Sequence, residues 1–149
     1  MKRLLFTVGN ELMGDDAAGP LLARLLTRSP LDNWEVLNGG SAPENHIHKV
    51  REFGAEMVVV VDAAEMGLSP GSIRILSEED IANQFLMTTH NLPLSFLIKA
   101  LKETVPHVLF IGIQPKHLAF YQAVSPEVKE AVKFVYDKMR NGDFDFAEF

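Results

Sequence analysis

The run Met57-Val58-Val59-Val60-Val61 constrains the fold more than any other segment. Successive side chains of a strand point to opposite faces, and here both faces are apolar and mostly β-branched. Such a strand has to be covered on both sides, which places it in the middle of a sheet with layers above and below. The run ends in Asp62, so a carboxylate stands where the chain leaves the sheet.

Around this segment, short apolar runs alternate with helical patterns, the order expected of an α/β protein. Strands are expected over residues 3–8, 35–38, 57–62, 72–76 and 108–113, and helices over 17–28, 43–53, 78–85, 93–104 and 126–140. The last helix is the clearest. Ser125 is its candidate N-cap, Pro126 fits the first turn, and Val128, Ala131, Val132, Val135 and Met139 make one apolar stripe. Ser77-Glu78-Glu79-Asp80 reads as an acid variant of the capping box. Residues 64–71, with Gly67, Pro70 and Gly71, read as a loop. No repeat or linker divides residues 1–149, so a single domain is expected. The end, 141–149, alternates Phe with acids and reads as a frayed terminus rather than a docked extension.

Composition removes several classes of function. A net charge of -6 over 149 residues is wrong for a nucleic-acid binder. Without cysteine there are no disulfides and no thiolate metal sites. The opening Met1-Lys2-Arg3-Leu4-Leu5-Phe6 is too short for a signal peptide, and no apolar stretch approaches the roughly 18 residues of a membrane span. A cytoplasmic protein acting as a monomer, away from membranes, is expected.

The polar residues that interrupt this pattern fall at strand ends. The first strand empties into Gly9-Asn10-Glu11-Leu12-Met13-Gly14-Asp15-Asp16, directly before a helix. In a doubly wound sheet of the 2-1-3 type, strands one and three are neighbours, and ligands bind at their carboxyl ends. Asp16 and Asp62 would then face one another, and the loop holding His90 can reach the same edge. Two carboxylates about 5 Å apart repel by about 3 kcal/mol at an effective dielectric near 20. The helix N-terminus at Asp16 returns only about 0.3–1 kcal/mol. A shared proton, a basic side chain or a divalent ion has to make up the difference. Two carboxylates and an imidazole form an N/O shell suited to zinc, nickel or similar metals, with positions left open.

Each residue also has a plain reading: Asp16 as a helix cap, Asp62 as a turn residue, His90 as a structural histidine. His46 and His48 point to different faces of a helix, and His107 and His117 bracket the last strand as solvated residues. Asn38-Gly39-Gly40 follows the second strand, where the glycines allow a tight turn or a close backbone approach. The same loop end could contact a ligand.

These motifs together resemble the nickel–iron hydrogenase maturation endopeptidases. The likeness runs through Gly9 to Pro20, Asn38-Gly39-Gly40-Ser41-Ala42-Pro43-Glu44-Asn45, Val61-Asp62-Ala63, Met87-Thr88-Thr89-His90-Asn91 and Gly112-Ile113-Gln114-Pro115. It is strongest to the branch that processes the large subunit of hydrogenase 3, the formate hydrogenlyase enzyme. The resemblance implies a three-layer α/β/α fold with a twisted, mostly parallel five-stranded sheet. It implies an endopeptidase, classed with aspartic peptidases, that removes a carboxy-terminal extension from the large-subunit precursor after nickel insertion. Asp16, Asp62 and His90 are its implied catalytic and metal-contacting residues, with nickel brought by the precursor and no organic cofactor. Asn38, Gly39 and Gly40 are its implied substrate-recognition residues. Many relatives carry an acid where this chain has Asn38, which puts a general-base role for residue 38 in doubt.

Hydrolysis could use a metal-polarised water or one activated by an aspartate. Two other readings stand beside it. A receiver-type phosphoacceptor domain also has acids after strand one, an Asp ending strand three and a Lys after strand five, here Lys116. A non-catalytic nickel-binding chaperone would bind precursor and leave its mass unchanged.

Overall fold

The structure, a computed structural model, describes residues 1–83 and 94–149. Five strands, β1 (Arg3–Thr7), β2 (Trp34–Asn38), β3 (Met57–Ala63), β4 (Ile73–Leu76) and β5 (His107–Ile113), form one sheet in the order β2-β1-β3-β5-β4. Pairing is parallel throughout except for β4, which runs antiparallel to β5. The helices are α1 (Ala18–Arg28), α2 (Ile47–Phe53), α3 (Glu78–Asn83), α4 (Leu94–Lys102) and α5 (Pro126–Arg140). The expected stretches past residue 83 and before residue 94 lie outside the described residues.

Val58, Val59, Val60 and Val61 are all fully buried, as a two-faced apolar strand requires. Alternation then sorts the chain into two cores. Val59 and Val61 join Leu5, Ile111 and Ile113 beneath Leu22 and Leu26 of α1 and Val128, Val132 and Val135 of α5. Val58 and Val60 join Leu4, Phe6 and Phe110 beneath Val50 of α2 and Leu97, Ile98 and Leu101 of α4. The result is helix, sheet and helix in three layers.

Local signals explain most boundaries. Ser77 and Asp80 make a reciprocal capping box: Ser77 N–H donates to Asp80 Oδ2 at 2.9 Å, and Asp80 N–H donates to Ser77 Oγ at 3.0 Å. The helix expected over 43–53 opens as a tight 3-10 turn, Pro43–His46, and relaxes into α2 only at Ile47. It stops at Gly54, whose φ of +69° suits a left-handed C-cap.

Two expectations are corrected. Ser125 precedes α5, but its hydroxyl caps nothing in that helix and donates to Asp15 instead. The end of the chain is docked, not frayed. Ile75 N–H donates to Ala147 O at 2.8 Å and Phe149 N–H to Ile75 O at 3.1 Å, so the tail covers the open side of β4. Phe146 is buried near the ring of Phe134, and Phe144 lies 5.8 Å from the ring of Trp34. The alternating phenylalanines are what dock it. With aromatic contacts from alternate residues of the tail, Phe144 and Phe146, apolar burial outweighs the entropy that frays most termini.

Candidate active site

Asp62 owes its position to the register of the central strands. Thr7 of β1 stands opposite Val61 of β3, and Val8 N–H donates to Val61 O at 3.0 Å. Asp62 is the next residue, 1% exposed, opposite Gly112 of β5. A carboxylate is thus buried at the carboxyl-terminal edge of the sheet, between two parallel neighbours.

Asp16 reaches that edge from the loop after β1. It sits in a 3-10 turn, Gly14–Ala17, which packs against β3, and it is 3% exposed. Its Oδ2 accepts a hydrogen bond from Asn10 N–H at 2.7 Å. The plain helix-cap reading does not hold, because α1 is preceded by Ala17 and has no side-chain cap. Two glycines make the approach possible. Gly9, at φ +143°, passes so close to Asp16 that a Cβ there would lie 2.0 Å from the Asp16 carbonyl oxygen. At Gly19 a Cβ would lie 2.4 Å from Val8 O and 2.9 Å from Val61 O, so only glycine lets α1 rest on the ends of β1 and β3.

Asp15, which the sequence does not mark as special, holds this edge together. Its carboxylate is fully buried and accepts from Ser125 N–H at 2.7 Å, Lys116 N–H at 2.8 Å, Ser125 Oγ at 2.9 Å and His117 N–H at 3.3 Å. Burial pushes the Asp15 carboxyl up, but these hydrogen bonds together outweigh it and hold the group below the usual carboxylate range. The loop after β5 is thereby tied to the loop after β1.

Gln114 is a second residue of this kind. It is 3% exposed, and its Oε1 accepts from Met66 N–H at 2.7 Å and Leu68 N–H at 3.3 Å. It pins the loop that follows Asp62. The Gly-Ile-Gln-Pro segment therefore fixes the neighbourhood of Asp62: a Cβ on Gly112 would meet Leu76 Cδ1 at 2.9 Å and Ala64 Cβ at 3.0 Å.

Asn38, Gly39 and Gly40 form the turn expected after β2. Asn38 Oδ1 accepts from Gly40 N–H at 3.0 Å and Thr7 Oγ1 at 3.3 Å. Gly39 lies against Phe6 and the Thr7 carbonyl, and Gly40 takes φ +60°. Asn38 and Gly40 line a cleft of about 270 Å³ with Gly9, Asn10, Leu12 and Ser41. A larger cavity of about 520 Å³, bordered by Arg3, Trp34 and Arg140, opens at the other end of β1 and β2. It is remote from both buried aspartates, and the chemistry of the site favours the smaller cleft.

His90 lies outside the described residues. Among the described residues no group of three His, Asp or Glu side chains is placed to hold a metal ion. His46 is half-buried; burial and the nearby charges of Lys49 and His48 lower its pKa against the opposing pull of Glu44. His107 is exposed as expected, whereas His117 is half-buried and packs over Gly14. Lys116, which the phosphoacceptor reading needs beside Asp62, pairs with Glu127 at 3.4 Å.

The arrangement can be set beside known proteins. A family model described as hydrogenase maturation protease (HycI) matches residues 20–141. The chain is 49% identical over 148 residues to the hydrogenase 3 maturation protease of Escherichia coli K12, covering 97% of this chain and 95% of that one. The solution structure of the endopeptidase HycI from E. coli superposes with a TM-score of 0.92 at 48% identity, covering 99% of this chain and 96% of that one. The crystal structure of a [NiFe] hydrogenase maturation protease HycI from Thermococcus kodakarensis gives 0.83 at 27% identity, covering 94% and 90%. A sheet of order β2-β1-β3-β5-β4 with acids buried at its carboxyl-terminal edge is therefore, in this chain, the fold of a peptide hydrolase, and the chain belongs to the hydrogenase maturation protease family.

Proposed function

We propose that this protein removes the carboxy-terminal extension from the nickel-loaded precursor of a nickel–iron hydrogenase large subunit, and that hydrogenase 3 is the enzyme served. The observation that carries the reading is the pair Asp16 and Asp62. Two carboxylates, 3% and 1% exposed, stand at one edge of the sheet, Asp16 in the turn after β1 and Asp62 at the end of β3. Burying two acids together is costly unless a proton or a cation compensates. A cation carried in by the substrate suits a pair of buried carboxylates, which are hard donors for a divalent metal.

In this reading Asp16 and Asp62, with His90, contact the nickel carried by the precursor. The nickel supplies Lewis acidity when present. Asp16 is held in orientation by Asn10 N–H, and Asp62 by its place between β1 and β5. These fixed carboxylates align the scissile peptide bond and hold the attacking water. Asn38, Gly39 and Gly40 contribute recognition at the cleft. As an amide, Asn38 offers hydrogen bonds there and no charge. The identity of 49% with the E. coli hydrogenase 3 protease favours hydrogenase 3 over other large subunits.

The test is the intact mass of a large-subunit precursor before and after incubation with this protein. Loss of a carboxy-terminal peptide from nickel-loaded precursor, and none from nickel-free precursor, is the expected result. Binding without a change in mass would leave the chaperone reading in its place. Cleavage regardless of nickel would remove the metal from the reading.

A further inference from the structure

The loop carrying Asp16 also carries a large apolar side chain pointed at solvent. Leu12 is 51% exposed, and beside it stand Phe120 at 58% and Tyr121 at 85%. The three belong together: Tyr121 N–H donates to Leu12 O at 2.8 Å, and the Phe120 and Tyr121 rings lie 6.0 Å apart. They come from loops separated by more than a hundred residues of sequence. Scattered exposed hydrophobics need no explanation, but a cluster assembled from two distant loops does.

The cluster is also held rigid. Tyr121 sits at φ +60°, a conformation unfavourable for a bulky side chain. Its loop is anchored on one side by the Asp15 carboxylate, through Lys116, His117 and Ser125, and by Asp15 N–H donating to His117 O at 3.0 Å. On the other side it packs so closely that a Cβ on Gly14 would meet His117 O at 2.9 Å and Ala119 O at 3.3 Å. A preformed aromatic surface of this kind loses little freedom when a partner covers it.

We infer that Leu12, Phe120 and Tyr121 form a docking platform for an apolar surface on the folded body of the substrate protein, separate from the peptide segment that is cut. This rests on the function proposed above. The occupant follows from continuity with the cleft. Leu12 lines the cleft that also holds Asn10 and Asn38, and Asn10 N–H binds the Asp16 carboxylate. Whatever covers the platform during turnover stands at the mouth of the site. Only the molecule that presents the scissile bond can do so without blocking it. A second copy of this chain seated there would close the cleft.

The test uses the full chain and the double variant Phe120→Ala and Tyr121→Gly, in which glycine also relieves the positive φ and the cleft-lining Leu12 is left in place. Cleavage of nickel-loaded precursor gives KM and kcat, calorimetric titration gives Kd for the same precursor, and sedimentation gives the oligomeric state. The platform requires KM and Kd to rise at least tenfold, kcat to stay within twofold and the circular dichroism to stay unchanged. Equal KM and Kd in the two proteins would overturn it, with wild-type cleavage still supporting the proposed function. A wild-type dimer that the variant splits would assign the patch to self-association and overturn it as well. If the wild type binds precursor through these residues without cutting it, the platform stands and the proposed function falls; if it does neither, both fall.

Discussion

The Asp15 carboxylate accepts both the backbone N–H and the hydroxyl of Ser125, at 2.7 and 2.9 Å, from a residue 110 positions further along the chain. One buried side chain thereby joins the loop after β1 to the start of α5. Asp15 thus sets where two rims of the site stand, beside Asp16, to which the proposed chemistry belongs.

Replacing Asp15 with Asn keeps the size of the side chain and removes its charge. Hydrogen bonds to a charged acceptor contribute about 1.5–3 kcal/mol each when the donors are otherwise buried, so Asp15→Asn is expected to lose about 2 kcal/mol at pH 7. The pH dependence has a definite sign. The folded-state pKa lies below the ordinary value, so the stabilisation is fully present above the unfolded pKa of about 3.9 and is lost as pH falls through the lower folded value. Urea midpoints at pH 7 and 5 are expected to show the same gap between variant and wild type, and the gap is expected to narrow below about pH 4.

Gly19→Ala adds a single methyl against two backbone carbonyl oxygens, Val8 O and Val61 O. Backbone cannot step aside as a flexible side chain does, so α1 must lift from the sheet. Overpacking of this kind costs about 1–3 kcal/mol. Because the turn bearing Asp16 leads directly into α1, precursor processing is expected to fall along with the urea midpoint. A variant with wild-type stability and activity would show that this close approach is not needed.

Removing residues 141–149 strips the cover from β4 and the buried ring of Phe146 from the core. Losing a buried Phe costs about 3–5 kcal/mol, and an open strand edge invites association. The shortened chain is expected to unfold at lower urea and to scatter more light on concentration. Phe146→Ala alone is expected to give most of the stability loss and less of the scattering.

Much of this architecture is legible in the sequence, for identifiable reasons. The valine run of β3 has no alternative to a doubly covered strand, and the neighbourhood of β1 and β3 follows from the 2-1-3 order of a doubly wound sheet. Asp16 and Asp62 stand at the same edge of the sheet because that topology puts the loop after β1 beside the end of β3. The bracing roles of Asp15 and Gln114 are not legible although both fall in recognisable motifs, since their partners lie 110 and 48 residues away and nothing in a short motif encodes such a distance. Ser125 has the right type and place for an N-cap, but a buried carboxylate competes for its hydroxyl and wins. The tail misleads through its acids, which suggest solvation, while its phenylalanines decide the outcome. The exposed patch of Leu12, Phe120 and Tyr121 is invisible for the same reason as Asp15: it exists only once two remote loops are joined.

The most direct measurement is the intact mass of nickel-loaded precursor after incubation with Asp62→Asn, beside wild type and with folding of the variant confirmed by circular dichroism. The substitution keeps the shape of the side chain and removes the charge that the proposed chemistry needs at the end of β3. Precursor left at full length by the variant and shortened by the wild type is the expected result. Shortening at the wild-type rate by a folded Asp62→Asn protein would contradict the assignment of the site to the buried carboxylate pair.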